Sequence, residues 1–243
     1  MNDVPHLSII VPAFNEARRI TRTLDAIRSV VPPLESGWEV RVVDDGSTDG
    51  TATHVAHAAA VDPRIVLQRV PHRGKGAAVR AGMLAARSKL RFMCDADLSM
   101  PLSELPRFLA EVPGHADIAI GSREGDGATR INEPAYRHYT GRLFNAIVQS
   151  GAIRGIEDTQ CGFKLFSGDA AERVFSRSTI DGWAFDVEAL TIARRLGLRI
   201  VPLPIEWHYG EFSHVSMVSD SFRMVRDVWR IRLNAARGRY DAR

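Results

Sequence analysis

The sequence predicts an α/β protein with a doubly wound, mostly parallel sheet and helices on both faces. Two observations predict this fold: apolar runs of strand length alternate with amphipathic stretches, and the intervals between the runs are long enough for crossover helices. The chain has 243 residues, of which 45% are hydrophobic, so it can form one or two compact domains. Such sheets bind ligands at the carboxyl ends of their strands, and functional residues are expected there.

The strands and helices follow from these patterns in chain order. Short apolar runs predict strands at 7–14, 40–43, 65–67, 90–94, 117–120, 161–166 and 200–207. The stretches between them predict helices at 16–30, after 47–49, after 74–76, and at 103–111, 136–150 and 185–196. Ser47, Thr48 and Asp49 are expected to cap the second helix, because their side chains accept hydrogen bonds from a first helical turn. The polar stretch 124–134 predicts a mobile loop over the site.

The last part of the chain has a different character. From Met217 onward the apolar residues share one helical face and arginines surround them; the apolar residues are Val218, Phe222, Val225, Trp229 and Leu233. We therefore expect a domain over residues 1–216, followed by a basic amphipathic helix and tail over 217–243. Such a helix either lies in a membrane interface with its arginines on anionic headgroups, or packs against protein.

Composition and missing motifs exclude several classes of protein. A formal net charge of +3 does not indicate a nucleic-acid partner. Cys94 and Cys161 each lie in an apolar segment, which indicates that they are small buried residues of the core. With only these two cysteines, the chain is expected in a reducing compartment. The N-terminus lacks the basic flank of a signal peptide, and no apolar run approaches the ~18–20 residues of a membrane span, so we expect a cytoplasmic protein. The phosphate-loop and dinucleotide-binding spacings are absent.

An acidic pair, Asp95 and Asp97, follows the strand predicted at 90–94. Two carboxylates one residue apart can hold a hard divalent cation through oxygen, and such a cation would also bind substrate phosphates. The alternative is an Asx turn with two solvated acids. The position at a strand end, beside a second acidic strand end, favours the metal site.

The second acidic strand end consists of Asp44 and Asp45. Adjacent carboxylates repel each other, so a ligand donor such as a nucleobase N–H would explain one of them. Lys75 lies near a predicted helix N-terminus, between two glycines, where it is expected to meet a ribose or phosphate.

Two arginines are candidate phosphate ligands. Arg123 follows a predicted strand and Arg137 follows the polar loop. The planar guanidinium suits phosphate, although solvated surface arginines remain the alternative for each.

Together these segments resemble a known family. Residues 11–16, 44–51, 74–76 and 95–97 resemble family-2 glycosyltransferases of the GT-A (Rossmann-like) fold. Residues 158–166 and 183–188 resemble the dolichyl-phosphate β-glucosyltransferases more than their mannosyl relatives, and the resemblance covers about residues 7–235. It implies that residues 1–216 form the GT-A domain. The N-terminal membrane anchor of the eukaryotic glucosyltransferases is not expected here.

The resemblance also implies roles for individual residues. Asp95 and Asp97 would hold Mg²⁺ or Mn²⁺ on the donor diphosphate, and Asp97, Arg123 and Arg137 would act in catalysis, the arginines on phosphates. Pro12, Phe14 and Glu16 would border the nucleoside, and Asp44 would read the base. The donor and cofactor site would thus contain Pro12, Phe14, Glu16, Asp44, Asp45, Lys75, Asp95, Ala96 and His214.

Two positions depart from the family pattern. Ser99 stands where the mannosyl relatives have Gln, which removes one possible metal ligand. Ser213 precedes His214 where related chains carry a Ser-Lys pair. A histidine binds phosphate best when protonated, so this substitution predicts that transfer falls as pH rises past neutrality.

The implied activity is inverting, metal-dependent transfer of a hexose from a nucleotide sugar to a polyprenyl phosphate. Glucose from UDP-glucose is favoured, with GDP-mannose as the second donor, and the enzyme is expected at most peripherally on the inner face of the cell membrane. One alternative is transfer to a hydroxyl, which needs a base such as Asp186 or Glu188. Another is a sugar-nucleotide-binding protein without turnover.

Overall fold

The computed structural model describes residues 4–31, 37–131, 155–208 and 219–241. A seven-stranded sheet forms its centre, in the order β3-β2-β1-β4-β7-β5-β8. Its strands are β1 Leu7–Ala13, β2 Trp38–Asp44, β3 Ile65–Arg69, β4 Leu90–Met93, β5 Ile118–Ser122, β7 Lys164–Ser167 and β8 Ile200–Pro204. Two short strands, β6 Thr129–Ile131 and β9 Glu206–His208, pair separately. Neighbouring strands are parallel except where β7 runs antiparallel to β4 and β5.

Helices cover both faces of this sheet, as predicted. They are α1 Ile20–Val30, α2 Thr51–Val61, α3 Lys75–Ala85, α4 Leu105–Glu111, α5 Gly168–Phe175, α6 Phe185–Arg195 and α7 Ser219–Ala236, with a 3-10 turn at Leu102–Glu104. Successive side chains of β1 point to opposite faces of the sheet and are apolar on both: Ile9 belongs to the core beneath α1, whereas Ile10 belongs to the core beneath α3. Both faces must therefore be covered by helices. Gly82 of α3 lets the helix approach closely, since a Cβ there would lie 2.6 Å from Cγ2 of Ile10.

The antiparallel strand β7 decides where the site forms. The strands β1, β2, β4 and β5 end at one edge of the sheet, but β7 begins at that edge because it runs the opposite way. The residues that precede β7 therefore meet the residues that follow the other strands. Gly162 lies against Asp95 for this reason.

Several boundaries differ from the sequence prediction. The helix predicted from 16 begins at Ile20, because Asn15 has a positive φ of 56° and the chain turns before the helix starts. The strand predicted over 200–207 is divided at Ile205, whose N–H donates to the carbonyl of Ser122 before the chain pairs with β6. The predicted loop 124–134 contains a short strand, β6, at Thr129–Ile131, where the chain pairs with β9. The rest of that stretch from residue 132 and the predicted helix 136–150 lie outside the described residues.

Helix α7 packs on the domain by a face that periodicity did not single out. Val228 and Ile231 are buried against α6, whereas Trp229 and Leu233 of the predicted apolar face are 63% and 48% exposed. Across residues 4–31, 37–131, 155–208 and 219–241, the structure has no helix with the length and apolar character of a membrane span.

Contacts after α7 fix this helix in place. The Tyr240 hydroxyl donates to Glu188 at 2.7 Å, and Arg195 forms an ion pair with Asp241 at 2.6 Å. Burial and the neighbouring Glu188 carboxylate raise the pKa of the Tyr240 hydroxyl well above its usual value. The end of the described chain is thus anchored near both ends of α6.

Candidate active site

A cavity of about 890 Å³ lies at the carboxyl edge of the parallel strands. Most of the predicted site residues line it: Pro12, Phe14, Glu16, Asp45, Lys75, Asp95, Ala96, Asp97 and Arg123. Arg137 and His214 lie outside the described residues, so the structure does not test their predicted roles. The parallel strands bring these side chains together because each strand ends at this edge.

The loop after β1 is fastened to the loop after β2. The backbone N–H of Asn15 donates to the Ser47 hydroxyl at 2.9 Å, and its side-chain oxygen accepts from the N–H of Thr48 at 2.9 Å. The prediction that Ser47 and Thr48 cap α2 is therefore wrong, and Gly50 occupies the N-cap position. Asp49 does serve the start of this helix, because its Oδ1 accepts from the N–H of Thr51 at 2.9 Å. The hydrogen bonds of Ser47 and Thr48 instead hold the loop that carries Phe14.

Asp44 is buried behind the cavity wall. The Asp44 carboxylate is fully buried; Oδ1 accepts from the N–H of Ser47 at 3.1 Å, and Oδ2 lies 3.5 Å from Nε of Arg69. Asp44 therefore does not line the cavity with the other predicted donor-site residues.

Asp45, in contrast, reaches the cavity and organises the loop after β3. Its carboxylate accepts from the N–H groups of Arg73 at 3.0 Å and Gly74 at 2.9 Å. Nδ1 of His72 lies 2.8 Å from the same carboxylate. The ring of His72 stacks on Phe14, with 4.2 Å between centroids and 18° between planes. Sequence reasoning missed His72, since no local pattern marks a residue that is positioned by a distant carboxylate.

The acidic pair follows β4 and faces the start of α3. Nζ of Lys75 lies 2.6 Å from Oδ1 of Asp95, and the Asp97 carboxylate accepts from the N–H of Ser99 at 3.0 Å. Burial alone would lower the pKa of Lys75, but Asp95, Asp186 and Asp97 raise it above its usual value. Lys75 is therefore a cation at the acidic pair.

The chemistry of the acidic pair fits a magnesium-type ion bound together with a substrate. Within the described ranges no cluster of three or more His, Cys, Asp or Glu side chains is placed to hold a metal. Asp95 and Asp97 supply two carboxylates on an open wall. Mg²⁺ commonly takes one or two carboxylates and completes its shell with water and substrate phosphates.

Arg123 lines the cavity and is held in place by the buried carboxylate of Asp158. Nε and Nη2 of Arg123 donate to Asp158 at 2.7 and 2.9 Å, and the guanidinium lies 5.5 Å from the Trp207 ring centroid. Burial by itself raises the pKa of Asp158, but the guanidinium outweighs it and holds the pKa at about 2. The sequence pattern singled out the segment that contains Asp158, but it did not indicate that Asp158 pairs with Arg123.

Lys164 and Asp186 form a buried pair beneath the cavity. Nζ of Lys164 lies 2.5 Å from Oδ1 of Asp186 and donates to the carbonyl of Cys161. Burial raises the pKa of Asp186 although Lys164 and Lys75 oppose the shift. Glu188, the second base considered from the sequence, lies off the cavity wall and accepts from the N–H groups of Thr179 and Ile180, each at 2.8 Å, and from Tyr240.

Helix α7 supplies part of the wall, which the sequence alone did not predict. Arg223, Met224, Arg226, Asp227 and Arg230 all line the cavity. Oδ2 of Asp227 approaches Gly182, so α7 meets the segment that joins α5 to α6.

Comparisons with known proteins agree with this site. The family model for glycosyl transferase family 2 matches residues 8–175. A dolichyl-phosphate β-glucosyltransferase of Trichomonas vaginalis is 36% identical over 215 residues, covering 84% of this chain and 64% of that protein. The dolichyl-phosphate β-glucosyltransferase of Saccharomyces cerevisiae is 34% identical over 254 residues, covering 96% of this chain and 76% of that protein.

Solved structures show the same fold at lower identity. Glucosyl-3-phosphoglycerate synthase of Mycobacterium tuberculosis, in complex with Mn²⁺, UDP-glucose and phosphoglyceric acid, superposes with a TM-score of 0.67 at 18% identity, over 95% of this chain and 79% of that one. A Pyrobaculum calidifontis mannosyltransferase with GDP-mannose and Mn²⁺ gives 0.59 at 22% identity, over 99% and 66%. Both are glycosyltransferases of the GT-A fold.

The predicted family and fold are thus confirmed by independent findings. The family model covers more than half of the chain, the relatives match most of it, and the sheet with its helices is that of the GT-A enzymes. The chain belongs to glycosyl transferase family 2, and it is a glycosyltransferase.

Proposed function

We propose that this protein transfers glucose from UDP-glucose to a polyprenyl phosphate of the dolichyl type, with inversion at the anomeric carbon. The observation that carries the proposal is one cavity whose wall joins the acidic pair, the Phe14–His72 stack and several arginines. These groups suit a cation, a nucleobase and phosphates. The relatives named as dolichyl-phosphate β-glucosyltransferases support the acceptor and the sugar.

The donor would lie between the aromatic stack and the acidic pair. Phe14 and His72 offer flat faces to a base, and Pro12 borders the same wall. Uracil is favoured because the relatives are glucosyltransferases and a structural neighbour binds UDP-glucose. GDP-mannose is the second candidate donor, since another neighbour of this fold binds it.

Asp95 and Asp97 would hold Mg²⁺ or Mn²⁺ at the donor diphosphate. When bound, the ion neutralises charge that develops on the leaving group. Both solved neighbours hold Mn²⁺, and the acidic pair supplies the oxygen ligands that either ion accepts. Lys75, beside Asp95, would add a positive charge to the same leaving group.

The acceptor needs no general base, because a phosphate oxygen is already anionic at neutral pH. This oxygen attacks the anomeric carbon, the bond from that carbon to the diphosphate breaks, and UDP leaves with the bonding electrons. A single in-line displacement converts the α-linked donor into a β-linked product. The protein's contribution is then to align the two phosphates and stabilise the leaving group.

Transfer to a hydroxyl would require a base on the cavity wall. Of the two carboxylates considered, Glu188 is occupied by backbone N–H groups and Tyr240, while Asp186 lines the cavity but is bound to Lys164. This arrangement favours the phosphate acceptor.

The outward face of α7 suits contact with a membrane that contains the acceptor. Trp229 and Leu233 are exposed on this face, and Arg226 and Arg230 lie beside them. An exposed apolar strip flanked by arginines is typical of a helix in a lipid interface. We place the enzyme peripherally, on the cytoplasmic face of the cell membrane.

A radiolabel assay tests the function directly. Labelled UDP-glucose or GDP-mannose is supplied with the short acceptor citronellyl phosphate or with citronellol, with Mg²⁺ or EDTA. We expect a glucosyl phosphate product from UDP-glucose, formed only with the metal and only on the phosphate acceptor. Preferential transfer to citronellol, or from GDP-mannose alone, would contradict the proposal.

A further inference from the structure

The basic side chains on the cavity wall divide into two groups. Those from the sheet edge are neutralised by carboxylates: Arg19 by Glu16 at 2.6 Å, Arg73 by Asp181 at 2.7 Å, Lys75 by Asp95 at 2.6 Å and Arg123 by Asp158 at 2.7 Å. Those from α7 form what we call the arginine stripe, consisting of Arg223, Arg226 and Arg230. Its one ion pair within the described residues joins Arg226 to Asp227 at 3.5 Å. The stripe therefore brings excess positive charge to the cavity.

Helical spacing puts the three arginines on one line. Positions 223, 226 and 230 are three and four residues apart, so their side chains are neighbours on the helix surface. Like charges at this spacing repel each other and destabilise a helix. An anion bound between the arginines removes that repulsion. Each guanidinium can donate two parallel hydrogen bonds to two oxygens of a phosphate.

The stripe is held at a fixed place in the wall. Val228 and Ile231, on the adjacent face of α7, are buried against the domain, and Tyr240 and Asp241 fasten the chain after the helix. The arginines therefore project from an ordered helix toward the cavity. This arrangement suits a binding site better than a mobile basic tail.

On the neighbouring face of α7, two exposed apolar side chains lie off the cavity wall. Trp229 lies three residues after Arg226, and Leu233 lies three residues after Arg230, so each exposed apolar side chain adjoins a member of the stripe. A ligand with a phosphate head and an apolar tail would meet arginines first and these side chains next.

We propose that the arginine stripe is the acceptor subsite, binding the phosphomonoester headgroup of the polyprenyl phosphate while its chain leaves over Trp229 and Leu233. This inference rests on the proposed function for the identity of the acceptor. It makes α7 part of the substrate-binding wall in addition to any contact it makes with a membrane.

The test uses the full chain, without lipid, so that membrane binding cannot contribute. Arg226→Gln, Arg230→Gln and the double variant are compared with Arg237→Gln, whose exposed arginine follows α7 and does not line the cavity. Steady-state rates with citronellyl phosphate and UDP-glucose give separate KM values. We expect the KM for citronellyl phosphate to rise about tenfold for each stripe substitution, the KM for UDP-glucose to stay within about twofold, and the control to match the wild type.

Calorimetry separates this proposal from the proposed function. Citronellyl phosphate and inorganic phosphate are titrated into each protein loaded with UDP. If the wild type binds citronellyl phosphate more tightly than phosphate and the stripe variants lose this binding, the subsite is supported even if no sugar is transferred. If the wild type transfers glucose to citronellyl phosphate while the stripe variants keep their KM, the subsite is wrong and the function is upheld. Loss of binding to anionic vesicles alone, with KM unchanged, would make the stripe a membrane anchor and overturn the proposal.

Discussion

Nζ of Lys75 lies 2.6 Å from Oδ1 of Asp95, so a protein cation already neutralises one member of the acidic pair. Lys75 begins α3 and Asp95 follows β4, and the packing of this helix over the sheet brings them together. A divalent ion that binds the acidic pair must compete with this ammonium group. The nucleotide would favour the exchange by offering its phosphates to both cations.

Replacing Lys75 tests this competition. We expect Lys75→Met to tighten the binding of Mn²⁺ to the nucleotide-free protein by about fivefold, since the substitution removes a partly buried ion pair that contributes about 1 kcal/mol. The same substitution should raise the KM for UDP-glucose. Titration of Mn²⁺ followed by electron paramagnetic resonance measures the first effect, with Lys89→Met, an exposed lysine, as the control. Equal or weaker Mn²⁺ binding by Lys75→Met would rule out the competition.

Loss of a carboxylate from the acidic pair should remove metal binding. We expect Asp97→Asn to lower kcat at least a hundredfold, about 3 kcal/mol in the barrier, because the developing charge on the diphosphate is no longer neutralised. Calorimetric titration with Mn²⁺ in the presence of UDP should show a parallel loss of affinity. Asp25→Asn, on the exposed side of α1, is the control. A turnover near that of the wild type would remove Asp97 from the proposed metal site.

Gly162 sets the position of the Asp95 carboxylate. A Cβ at residue 162 would lie 2.2 Å from Oδ2 and 2.6 Å from Cγ of Asp95, so an alanine must displace that carboxylate. We expect Gly162→Ala to weaken Mn²⁺ binding and activity at least tenfold. Gly114→Ala meets nothing within 4 Å and should behave as the wild type in the same titration and assay. Normal Mn²⁺ affinity in Gly162→Ala would show that Asp95 need not occupy its present position.

The Asp158–Arg123 ion pair makes the stability of the folded protein depend on pH. The pKa of Asp158 is about 2 in the folded protein and 3.8 when unperturbed, so its contribution is complete above about pH 4 and is lost as pH falls toward 2. The shift corresponds to about 2 kcal/mol. We expect Asp158→Asn to destabilise the protein by about 3 kcal/mol at pH 7, because it leaves a half-buried guanidinium without its counter-charge.

Urea unfolding at several pH values measures this effect. The difference in unfolding free energy between the wild type and Asp158→Asn should shrink as pH falls from 4 to 2. Asp169→Asn, which breaks an exposed pair with Arg173, should change stability by less than about 1 kcal/mol at any pH. A wild-type advantage that stays constant down to pH 2 would refute the assigned role of the Asp158 charge.

Local sequence patterns were sufficient to predict most of the strands and helices of this protein. The apolar run at 7–14 became β1 almost unchanged, and the acidic pair was placed after β4, because strand periodicity and burial act within a few residues. Boundaries shifted where a single backbone conformation intervened, as at Asn15. The loop of Ser47 and Thr48 was misread, because a side chain that can cap a helix can equally bind another loop.

The partners of the site residues were decided by the tertiary structure. Nothing local to Arg123 indicates Asp158, which lies 35 positions away and arrives because β7 enters the sheet against the direction of its neighbours. Periodicity likewise gave α7 one apolar face, but packing on α6 buried another and turned the arginines toward the cavity. The amino-acid sequence by itself determined which segments are strands or helices and which polar residues follow the strands, since those preferences are local. The pairing of charges across the cavity depends on strand order and helix packing, which are properties of the whole chain.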